Sequence, residues 1–467
     1  MDIIFVNPPK KYSPGGWSIF HGELPPLGLC SLASVLTKHG FSSSIVDANV
    51  LRVSCEKTAE GIVSANPLYV GITASTNTIH DAAQLAKRIK DTNKDIIVLI
   101  GGAHVSAVPE ETMNMFGEFD IGVLGEAELT IVELVKALKR NSDLSGIAGL
   151  ILRRTGGLHK TEKRNFIENL DELPLPAWDM LPNLVKYYQP AVTNYKKFPS
   201  ASIVTSRGCP GKCVFCDRSI FGNLCRAHSA EYVVGMMKRL NKDYGITDFD
   251  ICDDNFVTFK SRLKTICEIL LRENSKFAWS CLARVDMVDR ERLQLMKDAG
   301  CWQINYGIES GSQKVLDILQ KGVTLEKIEN AVRLTKKAGI SVKGFFMLGC
   351  FGETEDSIRE TIAFIKKIDL DDIRFTYFTP LPGSDSYKMA ASYGVLDGDY
   401  RKMDMATPVF IPQDLTKAQL MRAYVKAYNC FLFRFKTIGI FIDILKSSHK
   451  LPRMIKSLAF FAARESR

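Results

Sequence analysis

Residues 209 to 216 read Cys209-Pro-Gly-Lys-Cys213-Val-Phe-Cys216, directly after a strand predicted to begin near residue 201. A tight loop of this kind turns its sulfurs inward, and Arg207, Lys212 and Arg218 nearby favour the thiolate form. Three thiolates suit a soft metal or an iron–sulfur cluster. A structural zinc ion asks for a fourth ligand, which Cys225 or His228 can supply, whereas a 4Fe-4S cluster on three cysteines keeps one iron open. The other nine of the twelve cysteines are scattered, which excludes a disulfide scaffold.

Downstream of the loop, strands are predicted to begin near 248, 276, 301, 341 and 371. Helical periods lie between them at Ala230 to Tyr244, Ser261 to Asn274, Asp289 to Ala299 and Leu325 to Ala338, several closed by a glycine (Gly245, Gly300, Gly339). Six βα repeats predict a partial (β/α)6 barrel of the TIM type over 196–395, in which chemistry collects on the loops after the strands.

Upstream, residues 1–140 hold five apolar runs: Asp2 to Asn7, Ser43 to Asp47, Tyr69 to Thr73, Ile96 to Ile100 and Ile121 to Leu124. This α/β pattern predicts a doubly wound, Rossmann-like domain whose ligand lies beyond the strand ends. Those ends read Asn7-Pro8-Pro9, Thr73-Ala-Ser75, Gly101-Gly102-Ala-His104 and Gly125-Glu126-Ala-Glu128, and none is the GxGxxG phosphate turn. Thr73, Ser75 and Asn77, with the glycines after the fourth run, suit a large flat ligand because small residues permit close backbone approach. Glu126 and Glu128 also read as ordinary acids of a helix N-terminus. Residues 141–195 read as a linker with a hairpin at Leu150 to His159, and 396–467 as a helical segment.

The chain has 467 residues and a net charge of +9, all of which falls in residues 417–467, where eleven Lys or Arg face two acids. An amphipathic helix is predicted at 431–446, either packed on the barrel or lying on an anionic membrane surface. The N-terminus lacks the basic start and long apolar stretch of a secretory signal, and no window offers a membrane span, so the expected location is cytoplasmic with peripheral membrane contact as an option for the tail. A zinc-stabilised nucleic-acid-binding protein is the reading from another class; the neutral balance of residues 1–416 opposes it.

With its aromatic Phe215, the CxxxCxxC loop resembles the radical S-adenosylmethionine (SAM) enzymes. So do Asp250-Ile-Cys-Asp253-Asp254-Asn255-Phe256, Arg284-Val-Asp286, Tyr306-Gly-Ile-Glu309-Ser-Gly311, Phe346-Met-Leu-Gly349-Cys-Phe-Gly352-Glu353-Thr354 and Pro380-Leu-Pro382-Gly383, at successive strand ends. Together with Gly101 to Glu111 and Gly125 to Glu128, the resemblance is to the cobalamin-binding subfamily over residues 1 to about 395.

The resemblance implies that Cys209, Cys213 and Cys216 ligate three irons of a 4Fe-4S cluster and that SAM chelates the fourth. Phe215 would lie against the adenine, Glu309 would bond the ribose, Arg284 would sit near the SAM carboxylate, and the backbone at Leu348 and Gly349 would pass the adenine. Glu309 and Arg284 also read as a simple ion pair. Cobalamin is implied for the first domain, beside Thr73, Ser75, Asn77, Gly101, Gly102, Gly125 and Glu126.

Two departures stand out: Phe351 replaces the usual Pro before Gly-Glu-Thr, and Asp-x-His-x-x-Gly is absent, so no His is implied as the lower cobalt ligand. His104 reads either as a residue approaching the corrin or as a structural His. The implied activity is hydrogen abstraction from an unactivated carbon followed by methylation, with a radical cyclase as the alternative. The implied partners are a small-molecule, lipid or peptide substrate and an electron donor such as flavodoxin or ferredoxin. A tRNA methylthiotransferase is disfavoured because Cys30 and Cys55 are isolated.

Overall fold

The computed structural model describes residues 1–10, 22–432, 444–453 and 455. Its first sheet contains β1 (Ile3–Asn7), β2 (Ser43–Asp47), β3 (Tyr69–Thr73), β4 (Ile97–Gly101), β5 (Ile121–Val123), β6 (Leu150–Arg154) and β7 (Gly157–Lys160). The spatial order is β2-β1-β3-β4-β5-β6-β7. β1 to β5 pair in parallel because helices cover both faces, and alternate residues serve the two layers. Ile3 and Phe5 enter one core; Ile4 and Val6 enter the other.

The hairpin expected in the linker is instead the antiparallel edge of this sheet: β6 pairs with β5 and β7 with β6. Leu150, Ile151 and Leu152 are buried on β5, and Gly122 is the only residue type that fits there, since a Cβ would stand 2.4 Å from Ile151 Cγ2.

Residues 161–199 then cross to the second sheet through short turns and helix Leu184–Tyr187. This crossing is tied down at both ends. Tyr188 donates to Asp47 (2.9 Å), and Lys343 Nζ reaches Thr193 (3.1 Å) and Asn194 (2.9 Å) at the base of the barrel.

The barrel strands are β8 (Ser200–Ile203), β11 (Asp248–Ile251), β12 (Ala278–Ala283), β13 (Cys301–Glu309), β14 (Ser341–Leu348) and β15 (Asp372–Tyr377). A small ribbon of β9 (Ser206–Arg207) and β10 (Arg226–Ala227) interrupts the series after β8. The six strands are parallel and neighbours in chain order, curling into a half-barrel, as the repeats predict. Phe249, Trp279, Ile304 and Phe346 point out into the helix-covered core. Ser202, Asp250, Ser280, Asn305 and Lys343 take the alternate, inner positions. At Gly300, φ is +98° and a Cβ would lie 2.3 Å from the Phe277 carbonyl, so this helix end requires glycine.

The end of the chain is not wholly helical. A ribbon of β16 (Gly394–Leu396) and β17 (Phe410–Pro412) precedes helix Lys417–Leu432, because Phe410 anchors the ribbon in an aromatic cluster with Phe351 and Phe378. That helix buries Leu420, Ala423, Ala427 and Phe431. Most of the amphipathic helix predicted at 431–446 lies outside the described residues. Among the described residues no helix is long and apolar enough to cross a membrane.

Candidate active site

The cysteine loop leaves β8 through a buried carboxylate. Asp253 accepts the backbone N–H of Thr205 (2.5 Å) and Ser206 (3.1 Å) and both hydroxyls (2.6 Å each), fixing where the loop starts. Gly208 turns the chain at φ +82°, where a Cβ would meet the Leu224 carbonyl at 2.4 Å. Pairing of β9 with β10 closes the loop behind it.

Within the loop, Gly211 is the point of convergence: a Cβ there would stand 3.4 Å from Cys209 Sγ, 3.9 Å from Cys213 Sγ and 3.3 Å from Arg284 Nη1. Arg218 holds the Cys213 carbonyl (2.7 Å). Cys213 is buried, Cys209 partly buried and Cys216 exposed. The Cys213 thiol is pulled down to about 6, first by its hydrogen bond with Cys216 and, against burial, by Lys321 and Arg284; the same shared proton pushes Cys216 up.

The two residues available as a fourth zinc ligand are occupied elsewhere. Cys225 donates to the Gly208 carbonyl (2.9 Å), while His228 stacks on Tyr232 and meets Asp171 at 3.1 Å. Three thiols beside two cations, with Cys225 turned to the Gly208 carbonyl, suit a cluster with one open iron.

Arg284 and Glu309 do not pair with each other. Arg284 binds Asp286 (3.0 and 3.1 Å) and the Lys321 carbonyl (3.0 Å), while Glu309 pairs with buried Lys321 Nζ (2.8 Å). Glu309 sits at φ +68°, where the β13–β14 register shifts at a bulge that re-aims its side chain. The pair lies across Gly307, whose Cβ would meet Glu309 Oε1 at 2.5 Å and Lys321 Nζ at 2.9 Å. Sequence reading missed Lys321, since only the bulge and the following turn bring it to the rim, and it gave Gly307 no role within its motif. Half-buried Phe215 has Lys321 Nζ 5.8 Å from its ring centre.

The Leu348 carbonyl is taken by Phe378 N–H (2.8 Å), and Gly349 N–H donates to the carboxylate of Glu353. Glu353 is fully buried, and burial pushes its carboxyl up to about 7 despite the N–H groups of Gly349 and Cys350. Phe351 packs on Tyr393, Phe378 and Phe410, so this side chain seals the turn against the C-terminal ribbon.

Across from the cysteine loop, the ends of β1, β3, β4 and β5 face a cavity of about 480 Å³. Thr73, Gly101, Gly102, Gly125 and Glu126 line it from the first sheet; Arg207 and Phe221 line it from the barrel. Gly102 turns at φ +105°, where a Cβ would strike the Ala74 carbonyl at 2.5 Å. At Gly101, Gly102 and Gly125 backbone rather than side chain forms this wall.

Ser75, Asn77 and His104 do not line the cavity. Ser75 bonds Asn77 (2.8 Å) within its own turn. His104 is buried 3.3 Å from Thr76 Oγ1 with its ring against Tyr400, and burial pushes it down to about 4, a setting that favours the structural reading.

Glu128 is a first-turn acid of helix Glu128–Lys139, and both Glu126 and Glu128 also reach across to the barrel. Glu126 binds Arg207 (3.0 Å), Arg226 (2.8 Å) and the Ile167 N–H (2.9 Å), and Glu128 binds Arg207 (2.5 Å) and Ser31 (2.9 Å). This buried network joins the first domain to the strand that enters the cysteine loop two residues later.

Residues 203–365 match the Radical SAM superfamily and residues 19–135 match the B12 binding domain. An uncharacterized methyltransferase of Pyrococcus horikoshii is 36% identical over 94% of each chain. The chain belongs to the cobalamin-binding radical SAM enzymes. Its cofactors are a 4Fe-4S cluster, SAM and cobalamin. The anaerobic magnesium-protoporphyrin IX monomethyl ester cyclase of Rubrivivax gelatinosus is 27% identical over 92% of this radical SAM chain and 77% of the cyclase. The fold is shared with the methyltransferase TsrM of Kitasatospora setae with cobalamin and a [4Fe-4S] cluster bound (TM-score 0.71, 18% identity, 92% and 89% coverage).

Proposed function

We propose that this chain methylates an unactivated carbon of a small molecule, and that its cysteine loop and interdomain cavity act as one site. The observation that carries this reading is the Glu126–Arg207 bridge, which holds the cavity wall against the strand leading to Cys209. The methyltransferase name of the 36% identical relative supports it. When bound, SAM at the cluster supplies a radical that removes hydrogen from carbon, and cobalamin supplies the methyl group.

The chain's own residues bind, orient and exclude water. Arg284 sets positive charge beside the thiolates. Lys321 neutralises Glu309 and fixes its direction, so that the carboxylate can accept the hydroxyls of a ribose. Gly102 and its neighbours admit the flat ligand, and Phe221 narrows the barrel side of the cavity.

Gly307→Ala is expected to raise the KM for SAM about tenfold, the effect of losing one buried charge-assisted contact. Iron content is measured on the same samples, because Lys321 and Glu309 also act on Cys213; an unchanged KM at full iron content would detach Glu309 from SAM binding.

The function itself is tested by anaerobic turnover with SAM, reduced flavodoxin or ferredoxin and candidate substrates. Mass spectrometry should show products heavier by one methyl group. Products that lose hydrogen without gaining a methyl would place this chain with the cyclases.

A further inference from the structure

Helix Lys417–Leu432 carries two apolar stripes rather than one. Leu420, Ala423, Ala427 and Phe431 form the stripe that is buried against the rest of the protein. On the other face Met421, Val425 and Leu432 recur four and seven residues apart, which at 3.6 residues per turn sets them within about 40° of one another. Met421 is 51% exposed, Val425 57% and Leu432 37%, so this second stripe is not spent on the core.

Cations border the outward stripe on both sides. Lys417 lies on one border and Arg422 and Lys426 lie on the other, and the helix contains no acid. Met421, Arg422, Val425 and Lys426 form one wall of an open groove of about 790 Å³, and Ile362 and Lys366 of helix Glu355–Lys367 form the other. Arg359 and Lys367 on that second helix are paired with Asp356 and Glu329. Lys366, Arg422 and Lys426 form no ion pair among the described residues. Three unpaired cations around an exposed apolar groove suit a partner that is anionic at its surface and apolar beneath it.

A bilayer with anionic headgroups answers both halves of that description, because its headgroups meet the cations while the acyl boundary takes the stripe between them. The distribution of charge points the same way. Residues 1–416 are neutral, and the whole excess of +9 begins at Lys417. An acidic protein surface would satisfy the cations but would leave the apolar stripe in water.

We propose that this face of helix Lys417–Leu432 seats the protein on an anionic lipid bilayer, with Met421, Val425 and Leu432 at the acyl boundary and Lys366, Arg422 and Lys426 among the headgroups. The helix lies along the membrane surface and does not cross it, since its other stripe stays buried in the protein. None of these residues lines the interdomain cavity, so membrane binding and SAM cleavage are separable.

The test uses the full-length, anaerobically reconstituted protein, sedimented with phosphatidylcholine vesicles that do or do not contain phosphatidylglycerol. At low salt the parent should bind the anionic vesicles about tenfold more tightly than the neutral ones, and high salt should remove the difference. Arg422→Ala combined with Lys426→Ala should weaken binding to anionic vesicles about thirtyfold, and Met421→Ser combined with Val425→Ser about tenfold. All four side chains are exposed, so both double variants should fold and form 5'-deoxyadenosine as the parent does.

Absence of binding to anionic vesicles would overturn the proposal. Binding by both double variants equal to the parent's would also overturn it, since the contact would then belong to another part of the basic tail. Two further results would replace the bilayer by another occupant. A dimer in vesicle-free sedimentation that Met421→Ser with Val425→Ser dissolves would make the face a contact between two copies. Slower cluster reduction by flavodoxin in Arg422→Ala with Lys426→Ala, with vesicle binding unchanged, would make it a dock for the electron donor.

Discussion

Replacing Cys209, Cys213 and Cys216 together by alanine is expected to remove the iron and abolish 5'-deoxyadenosine formation, while the fold persists. The loop is positioned by groups the substitution leaves alone: Asp253 holds its start, Arg218 holds the Cys213 carbonyl, and Val214 is bonded to Leu319 (3.1 Å) and Ser386 (2.8 Å) through its backbone. Cys216 is exposed, so Cys216→Ala alone gives up little packing and should still lose the cluster. Iron analysis and product chromatography read the outcome, and circular dichroism checks the fold. Iron retained in the triple variant, or one zinc ion per chain in the parent, would mean that the loop is a structural zinc site.

The second large effect is on stability. Arg207→Ala leaves Glu128 with Ser31 and its own backbone N–H, and Glu126 with Arg226 and one backbone N–H, all in a buried interface between the domains. Stranding buried carboxylates in this way costs about 3–5 kcal/mol.

The pH dependence has a definite sign. Burial raises the Glu128 carboxyl, but Arg207 more than offsets it and holds the group below its usual range. A carboxylate with a depressed folded-state pKa stabilises the protein above its unfolded pKa, and that contribution disappears as pH falls through the folded value. In Arg207→Ala the carboxylate loses this partner, so the deficit should be large at neutral pH and shrink as acid protonates the stranded acids. Denaturant melts near pH 7.5 and pH 5 check this. A variant within about 0.5 kcal/mol of the parent at neutral pH would make the bridge dispensable.

How much of this was legible in the sequence depends on the range of the interaction. The parallel strands of both sheets announce themselves as short apolar runs, because both faces are covered and each run is bounded by turn residues. The cysteine loop is a local motif, so eight residues suffice to read it. Gly245, Gly300 and Gly339 were readable for the same reason: a left-handed helix end is a property of one residue.

What was not legible depends on chain segments that meet only in the fold. Glu126 and Arg207 are 81 residues apart, and each looked ordinary alone. Lys321 became visible only when the bulge at Glu309 turned that side chain across Gly307. His104 stood at a strand end like a ligand until Tyr400 covered it. The hairpin at Leu150 had a clear local signature, but nothing local says which sheet edge it completes.

The cofactor placement to be tested is a cluster on the cysteine loop and, across the cavity beside it, a cobalamin with no protein nitrogen on cobalt. Electron paramagnetic resonance of the anaerobically reconstituted protein tests both halves in one sample. The expected result is a reduced 4Fe-4S signal that changes shape when SAM is added, together with a Co(II) signal that lacks nitrogen superhyperfine splitting. A sample with no cluster signal, or a Co(II) signal split into three nitrogen lines that vanish on changing His104, would contradict it.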